Sequence, residues 1–141
     1  MTTQERESLT ANIAPVFAAR GRELCSVYIY GSRAAGRARP DSDYDFAVAA
    51  PAPLPNEELA ELREELADAL PGAPGVDCVD LLRVPLTLAA QVLESGIVLI
   101  EGDGRRRAAL ETRLMSMYAM LNEERREILE DIARRGSIYA R

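Results

Sequence analysis

Apolar residues recur along the chain with two periods, near four and near two, and the switches between them mark out the elements. Ile13, Val16 and Phe17 repeat at helical spacing and predict a first helix that starts between Glu7 and Thr10 and stops at Arg20, before Gly21. Residues 24–30, Leu-Cys-Ser-Val-Tyr-Ile-Tyr, are dense in β-branched and aromatic side chains and predict a strand. A Gly/Ala/Arg/Pro stretch over residues 31–42 reads as a loop or a loop with a short helix. Residues 43–48 predict a second strand, with Asp43 and Asp45 on one face and Tyr44 and Phe46 on the other.

Residues 51–55 form a proline-bearing linker, and Asn56 is the expected N-cap of a helix ending at Leu70, before Pro71-Gly72. Leu59, Leu62, Leu66 and Leu70 give that helix its apolar stripe, and its acids line the outer face. A third strand is expected over residues 76–82, a short helix over 86–93 and a fourth strand over 97–100. Leu110, Leu114, Met117, Leu121, Ile128 and Ile132 then carry helical spacing through residues 106–135. The expected architecture is a small α+β (α/β-like) domain, with a mixed sheet of about four strands, helices packed on one face, and a C-terminal helix. One domain is expected over residues 1–141, with a core over about 10–101 and a helical extension over about 104–135.

Composition narrows the chemistry. The 17 basic residues are all arginine, and histidine is absent. Without histidine there is no Ser-His-Asp or Cys-His relay, and without lysine no Schiff base and no P-loop lysine. Acid–base or metal chemistry therefore falls to carboxylates. Their distribution is uneven: residues 1–40 carry six arginines and three acids (+3), residues 41–103 two arginines and fourteen acids (−12), and residues 104–141 nine arginines and six acids (+3). An acidic middle lacks the basic footprint of a nucleic-acid binder, so no direct nucleic-acid binding is expected. No apolar run is long enough to predict a membrane span, and residues 1–6 lack the features of a signal peptide. Cys25 and Cys78 sit inside apolar runs and read as reduced core residues, so a cytoplasmic location is expected.

The informative segment is residues 30–45, Tyr-Gly-Ser-Arg-Ala-Ala-Gly-Arg-Ala-Arg-Pro-Asp-Ser-Asp-Tyr-Asp. Gly31 and Gly36 have the spacing of a P-loop, but Arg37-Ala38 stands where Lys-Ser/Thr is required. A Gly-Ser turn leaving a strand instead offers backbone amides and a hydroxyl to a polyphosphate. Asp43 and Asp45, two apart on a strand, point the same way, and neighbouring carboxylates repel unless a cation joins them. Hard oxygen ligands beside phosphate suit Mg²⁺. Alone, a Gly-Ser turn is usually only a turn and an Asp-x-Asp a solvated strand edge; together they form one mouth suited to nucleotidyl transfer.

Gly31-Ser32, ten residues, then Asp43-Tyr44-Asp45 resembles the GS-x10-DxD motif of the DNA polymerase β-like nucleotidyltransferase superfamily. Within it, GSRAAGRARPDSDYDFAV resembles the minimal (MNT-type) nucleotidyltransferases, and residues 75–83 and 96–101 are similar to later parts of MNT antitoxins paired with HEPN toxins. The resemblance implies the polymerase β-like fold and Mg²⁺-dependent transfer of AMP, or another NMP, from ATP or another NTP to a hydroxyl. In MNT–HEPN pairs that hydroxyl is a tyrosine of the HEPN ribonuclease, so the expected partner is a HEPN toxin and the expected role that of antitoxin. By position, Gly31 and Ser32 would hold phosphates, with Arg33 either neutralising phosphate charge or merely solvated. Asp43 and Asp45 would bind metal, and Asp77 would be the third carboxylate that activates the nucleophile. Only one of Asp77 and Asp80 can share the face of the other two acids. Asp77, early in its strand between apolar neighbours where an unpaired buried carboxylate would be costly, is the choice; Asp80, nearer the end, could equally be a solvated terminus.

Two alternatives stand beside this reading. One is nucleotidylation of a small molecule such as an aminoglycoside, for which the chain has little length to spare. The other is a non-catalytic antitoxin acting by contact. Met115, Met117, Tyr118 and Met120 on the last helix either pack on the domain or form a partner surface. The oligomeric state, homo- or hetero-, is open, and residues 137–141 read as an ordered contact or a frayed end.

Overall fold

The structure is a computed structural model that describes residues 1–136. The expected contact or frayed end at residues 137–141 lies outside the described residues. The element order is α1 (Thr3–Arg20), β1 (Ser26–Tyr30), β2 (Tyr44–Ala49), α2 (Asn56–Ala69), β3 (Val76–Asp80), α3 (Leu86–Ser95), β4 (Ile97–Glu101) and α4 (Gly104–Arg135).

Helix α1 begins well before the expected start. Its capping box, in which the Thr2 hydroxyl accepts from the Glu5 amide and the Glu5 carboxylate accepts from the Thr2 amide, satisfies two end amides and supports the polar first turn. Gly21 ends it in the left-handed region, as expected. Asn56 is the first residue of α2 and not its cap; Pro55 precedes it and makes no side-chain capping bond. Asp103 caps α4, its carboxylate accepting from the Arg105 and Arg106 amides.

The sheet is mixed and four-stranded, in the order β3-β2-β1-β4. β1 runs antiparallel to β2 and β4, and β2 runs parallel to β3 through the crossover helix α2. The expected sheet and terminal helix are present, but the helices, expected on one face, divide between both. Leu9, Ile13 and Phe17 of α1 and Leu59, Leu62 and Leu66 of α2 close one core against Val27, Ile29, Phe46, Val48 and Cys78. Ala89 and Val92 of α3, with Leu110 and Leu114 of α4, close a second against Tyr28, Tyr30, Ala47 and Ala49. The reason is local: every residue of β1 is buried, so both of its faces need cover. Alanines at 47 and 49 let the second layer approach closely.

The base of α4 is tied down by polar contacts as well. The Tyr28 hydroxyl donates to Glu111 Oε1 at 2.6 Å, and Arg107 Nε donates to the same oxygen at 2.8 Å. Burial, with Glu111 as acceptor, pushes the Tyr28 hydroxyl up to about 12. Beyond Leu114 no residue of the helix is buried among the described residues, and Met117, Met120, Ile128 and Leu129 are exposed. No helix among the described residues is long and apolar enough to cross a membrane.

The end of β3 depends on one buried acid. Asp80, 1% exposed, accepts from the Leu54 amide at 2.7 Å and the Leu82 amide at 2.9 Å. Arg83 reaches its other side at 3.9 Å and donates to the Leu54 carbonyl at 3.0 Å. This ties the linker before α2 to the turn after β3. Replacing Asp80 with alanine strands the buried Leu54 amide and the half-buried Leu82 amide and is expected to cost about 2–4 kcal/mol of stability, read by urea unfolding. An unchanged midpoint would show that the carboxylate is not the staple.

Candidate active site

The strands bring three acids to one face of the sheet. Tyr30 pairs with Asp45 across β1 and β2, and Asp45 pairs with Asp77 across β2 and β3. Residues paired across strands share a face, so Asp45 and Asp77 are neighbours, and Asp43, two residues before Asp45, follows them. Asp80 pairs with Val48, whose side chain lies in the opposite core. Only one of Asp77 and Asp80 thus shares the face of Asp45, as strand parity requires, and the register makes it Asp77; the burial expected of the pair is reversed. Asp77 is exposed and Asp80 is the buried acid, because the linker amide at Leu54 closes over it.

Two glycines make room for the acids. At Gly31, where φ is +78°, a Cβ would lie 2.7 Å from Asp45 Oδ2. At Gly75 a Cβ would lie 2.5 Å from Asp43 Oδ1. Gly31 therefore serves both the left-handed turn and the close approach of a carboxylate. Gly75 serves the approach alone, and its carbonyl accepts from the Tyr44 amide at 2.9 Å. Sequence reading gave Gly75 no role; its place just before β3 was the available signal.

Residues 31–37 form a helical-type turn, closed by bonds from Ala35 N to Gly31 O (3.1 Å) and Arg37 N to Ser32 O (2.9 Å). The amides of Ser32, Arg33 and Ala34 at its start have no backbone acceptor among the described residues. Unfilled amides at the start of such a turn attract anions. Arg33 is neither free nor simply solvated. Its guanidinium donates to the Ser42 carbonyl at 3.2 and 2.7 Å and stacks over the Tyr44 ring, 3.9 Å from the centroid. It pins the end of the loop onto β2, just before Asp43. A cavity of about 900 Å³ is lined by Arg33 and Tyr44 with Thr2, Glu5, Ser8 and Asn12, on the face of β2 opposite the acids.

The electrostatics show what the acids lack. Among the described residues, no ion pair or hydrogen-bond donor reaches the Asp43 or Asp45 carboxylate. Burial first, then Asp77 and Asp43, hold the Asp45 carboxyl above its usual range. Burial, then Asp45 and Asp77, push the Tyr30 hydroxyl up to about 12. A divalent cation would relieve this crowding, and the all-oxygen donor set fits a hard ion such as Mg²⁺. Asp77 alone has a cationic neighbour: Arg63 of α2, a residue that sequence reading passed over as one charge on an acidic helix, lies 2.9 Å away.

The family model described as polymerase beta, nucleotidyltransferase matches residues 12–105. A search of curated proteins returned no match. Among solved structures, a toxin–antitoxin complex with AMP-PNP is 31% identical, covering 88% of this chain and 98% of that one, with a TM-score of 0.74. The MntA–HepT toxin–antitoxin is 30% identical, covering 89% and 97%, at TM-score 0.69. The complex of tri-AMPylated Shewanella oneidensis HEPN toxin with MNT antitoxin is 30% identical, covering 89% and 98%, at TM-score 0.66.

The crowding sets a direction for stability. A carboxyl whose folded value lies above its unfolded one weakens the fold as pH rises from the ordinary value of 3.8 through the raised value. Asp45→Asn is therefore expected to raise the melting temperature at neutral pH by a few degrees. Mg²⁺ is expected to raise the wild-type melting temperature and leave that of the variant almost unchanged. Scanning calorimetry with and without Mg²⁺ reads both effects. A lower melting temperature for the variant would contradict the repulsion.

Proposed function

Because the chain belongs to the polymerase beta nucleotidyltransferase family, we propose that it transfers AMP from ATP to a tyrosine hydroxyl of a HEPN toxin and so acts as its antitoxin. The observation that carries this reading is the meeting of three parts at one sheet end: an amide-lined Gly-Ser turn, two carboxylates without a counter-charge, and a third carboxylate in register. Support for the nucleotide and the acceptor comes from the neighbours, one with AMP-PNP and one with a tri-AMPylated HEPN toxin.

In this reading the amides of Ser32, Arg33 and Ala34 and the Ser32 hydroxyl bind the phosphates of ATP. Gly31 keeps the turn clear of Asp45. Arg33 holds the loop in place through Ser42 and Tyr44. Asp43 and Asp45 would hold Mg²⁺, which would supply charge stabilisation at the α-phosphorus. Asp77 takes the proton from the attacking hydroxyl. The tyrosine oxygen bonds to the α-phosphorus, the bond to the β-phosphate oxygen breaks, and pyrophosphate leaves. None of these steps calls on histidine or lysine.

A second reading, neutralisation by contact, is favoured by one observation: the exposed Met117, Met120, Ile128 and Leu129 beyond the packed base of α4. Large apolar side chains grouped on one projecting element suit a protein partner. The two readings give different results in one experiment. With a cognate HEPN protein and labelled ATP, Asp43→Asn with Asp45→Asn is expected to lower AMP transfer by about a hundredfold or more while leaving the circular dichroism spectrum intact. Undiminished transfer would remove the catalytic assignment. Full neutralisation by the double variant without AMP transfer would favour contact, and Ile128→Arg would then be expected to release the toxin.

A further inference from the structure

Of the three acids assigned above, Asp77 is held in a way the other two are not. β3 is an edge strand, and α2 packs against it. From that helix Arg63 Nε donates to Asp77 Oδ1 at 2.9 Å and to the Cys78 carbonyl at 3.0 Å. The Cys78 amide donates to the same Oδ1 at 2.8 Å. One oxygen of Asp77 is therefore drawn by two donors toward its own backbone and the edge of the sheet. Asp45, its register partner one strand away, has no such hold. Among the described residues no three acidic side chains come together closely enough to enclose a metal ion. The strand positions place three carboxylates on one face, and of the three only Asp77 has an oxygen engaged by a cationic donor.

Residues 41–103 contain only two arginines against fourteen acids, and each arginine serves one acid of β3. Arg83 lies beside the buried Asp80, whereas Arg63 lies beside Asp77, with 42% and 52% of their side chains exposed. An exposed pair of this kind is weak, so it holds a rotamer without locking it.

We infer that Arg63 is a latch on the third carboxylate: its guanidinium holds Asp77 out of the metal site, and the cation must draw Asp77 off the arginine to complete its ligand set. This rests on the assignment of Asp77 as the third carboxylate. Arg63 touches neither nucleotide nor acceptor in this scheme. It is a positioning residue, and its effect is on how readily the site takes up a divalent cation.

Mn²⁺ binding followed by electron paramagnetic resonance tests this without any turnover. Wild type, Arg63→Met, Arg63→Lys, Asp77→Asn and the Arg63→Met/Asp77→Asn double variant are compared, with circular dichroism confirming each fold. Arg63→Met is expected to bind Mn²⁺ about two- to five-fold more tightly than wild type. Arg63→Lys, which keeps the charge, is expected to lie near wild type, and in the Asp77→Asn background Arg63→Met is expected to change nothing. Equal or weaker Mn²⁺ binding by Arg63→Met would overturn the latch. The same gain in the Asp77→Asn background would also overturn it, by showing a general charge effect, and so would absence of Mn²⁺ binding in both wild type and Arg63→Met. These outcomes are separate from AMP transfer: loss of transfer in the Asp43/Asp45 variant with no Arg63 effect leaves the enzyme assignment standing and removes only the latch.

Discussion

The register of β2 between its two neighbours is the constraint on which both the fold and the site depend. A strand has period two, so a slip of one residue against β1 or β3 would send Phe46 and Val48 to the face of the acids and the acids into the α1–α2 core. Burying two unpaired carboxylates among Leu62, Leu66 and Ile13 is far costlier than leaving them at an open sheet end. The apolar pattern therefore sets the register, and the register places Asp45 beside Asp77. Asp80 reinforces it from the far end of β3, since its bonds to the Leu54 and Leu82 amides hold the strand and the preceding linker in one position. One acid on β3 serves the fold and another, three residues away, faces the site.

The crowding at Asp45 is the counterpart of that order. Removing water from the carboxylate and placing Asp43 and Asp77 nearby works against the charged form, and no arginine offsets it. Arginines are present in number elsewhere: Arg20 spans Glu61 and Glu65, Arg22 pairs with Glu58, and Arg107 with Glu111. Their absence around Asp43 and Asp45 is therefore local. The fold pairs some of its helix acids and leaves Asp43 and Asp45 without an arginine, where the proposed site would receive a cation.

Much of this was legible in the sequence, and what was not follows from contacts at long range. The GS-x10-DxD spacing is local, and strand alternation shows that only one of Asp77 and Asp80 can join Asp45, the choice of Asp77 coming from its apolar neighbours and the family resemblance. The burial of that pair was read backwards because it depends on Leu54, twenty-six residues away, which no periodicity reveals. The second helical layer was missed for a similar reason: Ala47 and Ala49 carry little apolar signal, although their small size is what admits α3 and α4. Thr2 and Glu5 formed a readable capping box that apolar spacing overshadowed. Arg63 had no local signal, since only the folding of α2 against β3 turns one charge among many into a partner for Asp77.

Helix α4 brings the chemistry and the contact surface onto one side of the molecule. Its 32 residues span roughly 48 Å at the helical rise, yet only its first turns are anchored, by Leu110, Leu114 and the Tyr28–Glu111–Arg107 contacts. Ion pairs within the helix, Arg126 with Glu123 and Glu130, and Asp131 with Arg134 and Arg135, support the remainder without packing. Such pairs favour a helix but give no reason for exposing Met120, Ile128 and Leu129. A partner surface does give one. The anchored base of α4 lies on the sheet face that carries Asp45 and Asp77, so under the proposed function a protein held at this helix would meet the carboxylates from the same side. In that reading contact and catalysis would be two uses of one face: the helix would supply the encounter, and the sheet end the reaction.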